Sequence, residues 1–151
     1  MSRSCSQPTS PDTILLVEDN HDDRILTEKA LRRCGIYHRV VVAHDGVEAL
    51  DYLFSQPKSH LPSLVLLDLK LPRLHGLDVL ERIRRNERTR HLRVVVLTSS
   101  DEERDMVESR RLGADGYVRK VVDFTAFCHM VNQLRSEWLG SRADEPPGDM
   151  A

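Results

Sequence analysis

Four short apolar runs each stop at a polar residue, and that recurrence leaves the chain few architectures. Ile14-Leu15-Leu16-Val17 gives way to Glu18-Asp19, Leu64-Val65-Leu66-Leu67 to Asp68, and Val94-Val95-Val96-Leu97 to Thr98. A fourth stretch, Tyr117-Val118-Arg119, is followed by Lys120. Runs of four or five aliphatic and β-branched residues read as strands buried on both faces, as in parallel sheets covered by helices. With the strands parallel, all four polar endings fall on one edge of the sheet. Ligands of open parallel sheets bind outside the carboxyl ends of the strands. Three carboxylates, a hydroxyl and an ammonium are therefore candidates for one site.

Between these runs the apolar spacing becomes helical. The pattern predicts strands over Thr13–Val17, Arg39–Ala43, Leu64–Leu67, Arg93–Leu97 and Gly116–Arg119. It predicts helices over His21–Cys34, Gly46–Phe54 and Leu77–Asn86, a fourth from a capping box at Ser100-x-x-Glu103 to near Gly113, and a fifth over Phe124–Leu139. In the first helix Ile25, Leu26, Ala30, Leu31 and Cys34 form the expected inward stripe, and Gly35 ends it. Strict alternation with short links implies right-handed crossovers. The expected fold is α/β, a doubly wound parallel sheet of five strands in the order 2-1-3-4-5 with five helices, its switch point between strands one and three. The folded domain is expected over residues 13–139, with disordered polar tails at 1–12 and 140–151.

Bulk properties exclude several classes. The chain of 151 residues suits one domain with a sizeable core. A net charge of −2 creates no field favouring DNA or anionic membranes. No run of apolar residues is long enough to span a bilayer, and Met1–Pro11 lacks the apolar stretch of a signal peptide, so a cytoplasmic protein is expected. Cys5, Cys34 and Cys128 show no metal spacing and are expected to be reduced thiols, the last two on apolar helix faces. The seven histidines form no ligand pair. Helix three and its exit are basic, with Arg82, Arg84, Arg85, Arg88, Arg90 and Arg93, but Glu81 and Glu87 among them favour a solvated face over a nucleic-acid patch. There is no GxxxxGK[ST] or GxGxxG for a nucleotide.

The chemistry follows from Glu18, Asp19 and Asp68 taken together. Two carboxylates ~4 Å apart repel by ~4 kcal/mol at an effective dielectric of 20, so three together call for a cation. An oxygen-only pocket with few protein ligands suits Mg²⁺. Asp19 and Asp68 would bind it directly, Glu18 directly or through a water, and the backbone carbonyl of Lys70 would add a ligand. Lys120 would balance the remaining charge. A carboxylate beside Mg²⁺ and a lysine can attack a phosphoryl group. Asp68 is the nucleophile by position, alone at the end of the central strand. Thr98 would donate to a phosphoryl oxygen, and small Ser99 leaves room for the group to enter.

These stretches resemble the receiver domains of two-component response regulators. The likeness is carried by Leu15-Leu16-Val17-Glu18-Asp19-Asn20, by Leu66-Leu67-Asp68-Leu69-Lys70-Leu71-Pro72 with Gly76, by Val96-Leu97-Thr98-Ser99, and by Gly113-Ala114-Asp115-Gly116-Tyr117-Val118-Arg119-Lys120. It implies a flavodoxin-like receiver fold, a phosphoryl group accepted on Asp68 from a sensor histidine kinase, and Mg²⁺ held by Glu18 and Asp19. It implies phosphoryl contacts from Thr98 and Lys120, and a switch formed by Thr98 and Tyr117 that reshapes the face of helix four, strand five and helix five. The chain departs from the family pattern at Val121, where proline usually follows the lysine. A cis bond before a non-proline costs ~2.5–4 kcal/mol, which favours a trans Lys120–Val121 bond. Lys70, two residues past the nucleophile, is expected to alter self-dephosphorylation.

Asp45-Gly46-Val47-Glu48-Ala49-Leu50-Asp51-Tyr52-Leu53-Phe54, Leu97-Thr98-Ser99-Ser100, Asp123-Phe124 with Phe127, and Trp138-Leu139 resemble the single-domain regulators associated with phytochrome-type kinases. That likeness implies a bacterial phytochrome as kinase partner and a homodimer through helix four, strand five and helix five, with Phe127 and Trp138 at the interface. No DNA-binding module fits the residues after helix five, so output is expected through protein contacts. The rival reading is a Mg²⁺-dependent phosphohydrolase with an aspartyl-phosphate intermediate. Such enzymes often place a second carboxylate two residues after the nucleophile as general acid and base; Lys70 cannot serve there as a cation.

Overall fold

The computed structural model describes residues 13–99, 102–119, 125, 127–129 and 132–133. Its strands are β1 (Thr13–Val17), β2 (Arg39–Ala43), β3 (Leu64–Leu67), β4 (Arg93–Thr98) and β5 (Gly116–Arg119). They pair in parallel, in the order β2-β1-β3-β4-β5. The helices are α1 (His21–Arg33), α2 (Gly46–Ser55), α3 (Gly76–Arg85) and α4 (Glu103–Arg111), with a 3-10 turn at Lys58–His60 in the loop before β3. Residues 125, 127–129 and 132–133 are helical, where the fifth helix is expected.

The starts of α1, α2 and α3 each have a local cause. Asn20 caps α1 by accepting the Asp23 N–H at 2.9 Å, and Asp22 and Asp23 favour the positive end of the helix. Asp45 caps α2 by accepting the Glu48 N–H at 2.8 Å, while Glu48 reaches back to the His44 N–H. His75 caps α3, its Nδ1 accepting the Leu77 N–H at 3.1 Å. Gly35 and Gly113 end α1 and α4 with φ of 83° and 99°, a conformation that penalises any Cβ. The α4 start differs from expectation. The helix begins at Glu103 with Glu102 in the cap position, and Ser100 lies outside the described residues.

Strand residues alternate between two apolar layers. Ile14, Leu16, Leu64, Leu66, Val95, Leu97 and Val118 face α1 and the fifth helix; Leu15, Val17, Val65, Leu67 and Val94 face α2 and α3. β1 and β3 are central and are buried almost throughout, so their end residues are held rigidly.

Tertiary packing corrects four expectations. The buried positions of α1 are Thr27, Ala30 and Leu31, whereas Ile25 and Leu26 are 40% and 50% exposed. The inward stripe therefore runs 27, 30, 31, 34, and Ile25 and Leu26 fall beside it. Cys34 and Cys128 are not reduced thiols: they form a disulfide, Cα atoms 5.3 Å apart and 94 residues apart in sequence. The end of α1 and the fifth helix cover the same sheet face, which brings the two sulfurs together. Phe127 is 5% exposed and packs in the α1-side layer, so it is a core residue and not an interface anchor. The arginines of α3 and its exit are not simply solvated. Arg84 donates to the carbonyls of Gly113 (2.9 Å) and Leu92 (2.7 Å) and pairs with Asp115 (3.0 Å). Its burial lowers the affinity of the guanidinium for its proton, an effect that Asp115 opposes. Arg88 donates to the carbonyls of Phe54 and Gln56, and Arg93 pairs with Asp115.

Candidate functional site

The backbone ladder continues one residue beyond β1 and β3. The Glu18 N–H donates to the Ala43 carbonyl at 3.0 Å and the Asp68 N–H to the Val17 carbonyl at 3.1 Å. Both carboxylates thus leave the sheet edge from hydrogen-bonded backbone, side by side across the switch point. Carboxylate oxygens of Glu18, Asp19 and Asp68 lie within 4.8 Å of one another. Glu18 is 1% and Asp68 4% exposed, while Asp19 opens to solvent. The Asn20 N–H donates to Glu18 Oε2 at 3.2 Å and the Lys70 N–H to Asp68 Oδ1 at 3.3 Å. Neutral amides offset only part of this charge. Two acids held almost out of water beside a third, with oxygen the only donor type, fit a hard divalent cation.

Thr98 ends β4 and is fully buried, and Ser99 beyond it is exposed. The β3–β4 register pairs Leu67 with Val96, so Asp68 and Thr98 leave adjacent strands within a residue of each other. In the β4–β5 register Val96 faces Tyr117 and Thr98 faces Arg119, which puts Thr98 and Tyr117 on one face of the sheet, one side-chain step apart on adjacent strands. Tyr117 is half-buried there. Lys120, the Lys120–Val121 bond and Trp138 lie outside the described residues.

The loop after Asp68 shows what sequence reading misses. The Gly76 N–H donates to the Leu69 carbonyl at 2.9 Å, and a Cβ at Gly76 would stand 2.4 Å from the Asp68 carbonyl oxygen. The start of α3 is therefore packed directly on the backbone that carries Asp68. Its signal is the Gly76 spacing, but the cause is a tertiary contact. Arg73 adopts a left-handed φ of 69°, costly for a residue with a Cβ, and pairs with Asp45 at 3.2 Å. Arg24 is a second omission: its guanidinium donates to the carbonyls of Glu18 and Asp19. Bonds to carbonyls have no residue-type signature, so no motif reveals them.

Known proteins match this arrangement. The family described as "Response regulator receiver domain" matches residues 14–132. Among curated proteins, the chain is 39% identical to the "Probable methanogenesis regulatory protein FilR2" of Methanothrix harundinacea, over 86% of this chain and 85% of that protein. It is 36% identical to "Response regulator Rcp1" of Synechocystis sp., over 85% of this chain and 90% of that protein. Among solved structures it is similar to the bacteriophytochrome response regulator AtBRR (47% identity, 81% of this chain, 91% of that one, TM-score 0.69). It is also similar to the phosphorylated cyanobacterial phytochrome response regulator RcpA (34%, 85% and 94%, TM-score 0.71) and to the Mn²⁺-bound form of Rcp1 (34%, 93% and 100%, TM-score 0.70).

Proposed function

This chain belongs to the response regulator receiver domain family, and from that premise we propose that it accepts a phosphoryl group on Asp68 from a sensor histidine kinase. The observation that carries the reading is the convergence of the Glu18, Asp19 and Asp68 carboxylates within 4.8 Å at the switch point of the sheet. Glu18, Asp19 and Asp68, with the Lys70 carbonyl, would hold Mg²⁺. Bound there, Mg²⁺ would neutralise the carboxylates and polarise the phosphoryl oxygens. An Asp68 oxygen bonds to phosphorus as the phosphorus–nitrogen bond of the donor phosphohistidine breaks, its electron pair staying on the imidazole. Thr98 and Lys120 contact the transferring oxygens, and Thr98 with Tyr117 passes the change to α4 and β5. Regulation by contact, rather than catalysis of turnover, is the output.

The likeness to AtBRR and RcpA supports a phytochrome-type kinase as the donor. A homodimer through α4, β5 and the fifth helix is part of the reading, with Val107 of α4 53% exposed on that side. Cytoplasmic location belongs to it too; among the described residues, no helix is long and apolar enough to cross a membrane.

Incubation with acetyl phosphate and Mg²⁺, followed by intact mass measurement, tests the core of the proposal. One added phosphate is expected in the wild type and none in Asp68→Asn. Fast multiple turnover of a phosphate monoester without a lasting adduct would favour the phosphohydrolase and defeat the regulator reading.

A further inference from the structure

We propose that Arg24 is a positioning residue that holds the Glu18–Asp19 turn in its metal-binding shape. The inference rests on the reading of the acidic cluster as a divalent-cation site. The sheet ladder holds the Glu18 backbone through its N–H. The carbonyls of Glu18 and Asp19 both accept from Arg24 Nη1, at 3.3 Å and 3.2 Å, one turn into α1. Its Nη2 donates to His21 Nδ1 at 3.1 Å, which fixes the plane of the fork from a second side. The Arg24 backbone N–H donates to the Asn20 carbonyl at 3.0 Å, and the Asn20 N–H in turn holds Glu18 Oε2 at 3.2 Å. The Arg24 side chain therefore ties together two carbonyls of the turn that presents two of the three carboxylates, while the bond from its backbone N–H to Asn20 is the helical one that any residue here would make.

Arg24 has two opposed effects on a bound cation. Its charge repels the metal, and its fork pre-organises the ligands. The charge already faces two carbonyl dipoles at the edge of solvent, where salt screens it; the fork's geometry has no substitute. The guanidinium holds both carbonyls and the ring from one rigid plane, whereas the lysine ammonium presents its three donors on a flexible stem that is not pre-organised for that geometry. Pre-organisation therefore wins, and removal of the fork weakens metal binding although it removes a positive charge.

Mn²⁺ binding, read from the electron paramagnetic resonance of the free ion, tests this in the full chain. Arg24→Ala is expected to raise the Kd about tenfold, the low end for loss of a group that supports metal ligands. Arg24→Lys, which keeps the charge and the stem, is expected to fall short of wild type as well. Metal-free melting midpoints separate a positioning role from plain stability, because they should stay close to wild type while Kd moves. If Arg24→Ala does not fold, Arg24→Lys decides. Affinity in Arg24→Ala equal to or tighter than wild type, or full affinity in Arg24→Lys, overturns the proposal. Absence of Mn²⁺ binding in the wild type would instead defeat the cation-site reading beneath it, so the two failures are distinct.

Discussion

Gly76→Ala is the most direct probe of how the fold aims Asp68. The added methyl would stand 2.4 Å from the Asp68 carbonyl oxygen, 2.6 Å from Leu69 Cα and 3.1 Å from the Asp68 carbonyl carbon. All three are backbone atoms, so no side chain can swing away. Ordinary contact begins near 3.4 Å, and the shortest approach falls about 1 Å below it. Either α3 backs away from the sheet or the segment carrying Asp68 moves. Overpacking of this kind costs about 1–3 kcal/mol. The Gly76 N–H bond to Leu69 is stretched with it, adding about 0.5–1.5 kcal/mol. Replacing glycine in a helix returns about 0.5–1 kcal/mol. A net loss of about 0.5–4 kcal/mol is expected in urea unfolding. Displacement of a reacting group by ~1 Å can cost about 100-fold in rate. Labelling by acetyl phosphate should therefore slow far more than stability alone predicts, measured below the unfolding transition. A Gly76→Ala protein with wild-type stability and labelling rate would refute the claim that the α3 start positions Asp68.

Two further outcomes follow from the geometry. Reduction of the Cys34–Cys128 bond, or Cys34→Ser, removes a cross-link spanning 94 residues. Denaturant unfolding should show a loss of about 2–4 kcal/mol, the usual measured range and below the ~4.7 kcal/mol that chain entropy alone gives for a loop of this length, with no change in metal affinity, since the bond joins α1 to the fifth helix; equal stability with and without reductant would refute the cross-link. Hydrogen bonds from the His44 backbone N–H and ring hold the Glu48 carboxyl below its usual range. A depressed carboxyl adds stability above its unfolded pKa and loses it as pH falls through the folded value, so the acid limb of the melting curve below about pH 4.5 carries the effect. The pair is exposed, which limits the effect to about 0.3 kcal/mol. Glu48→Gln should flatten that part of a pH series of melting midpoints slightly and leave neutral-pH phosphorylation unchanged; a larger shift would mean that the pair is coupled to the core.

The elements were legible because their signals are local. β-branched runs and Gly35 as a stop act within a few residues, and all five strands form where the pattern places them. The acidic trio was legible for a related reason. Parallel topology converts "last residue of a run" into "same edge of the sheet", so Glu18, Asp19 and Asp68 converge without any long-range information beyond strand order. Contacts set by facing surfaces were not legible. The inward face of α1 depends on how the helix is rotated against the sheet, and Ile25 and Leu26 are as apolar as the residues that do turn inward.

The amino-acid sequence alone thus determined the fold class and the identity of the acidic cluster, because hydrophobic period and chain alternation encode them residue by residue, while the strand order is the one common to doubly wound sheets of five strands. Only the tertiary structure decided that Cys34 meets Cys128, that Phe127 belongs to the core, that Gly76 rests on the Asp68 backbone and that Arg24 grips the turn beside the site. These depend on which surfaces touch and on backbone groups that every residue carries alike, and neither leaves a mark in the order of side chains.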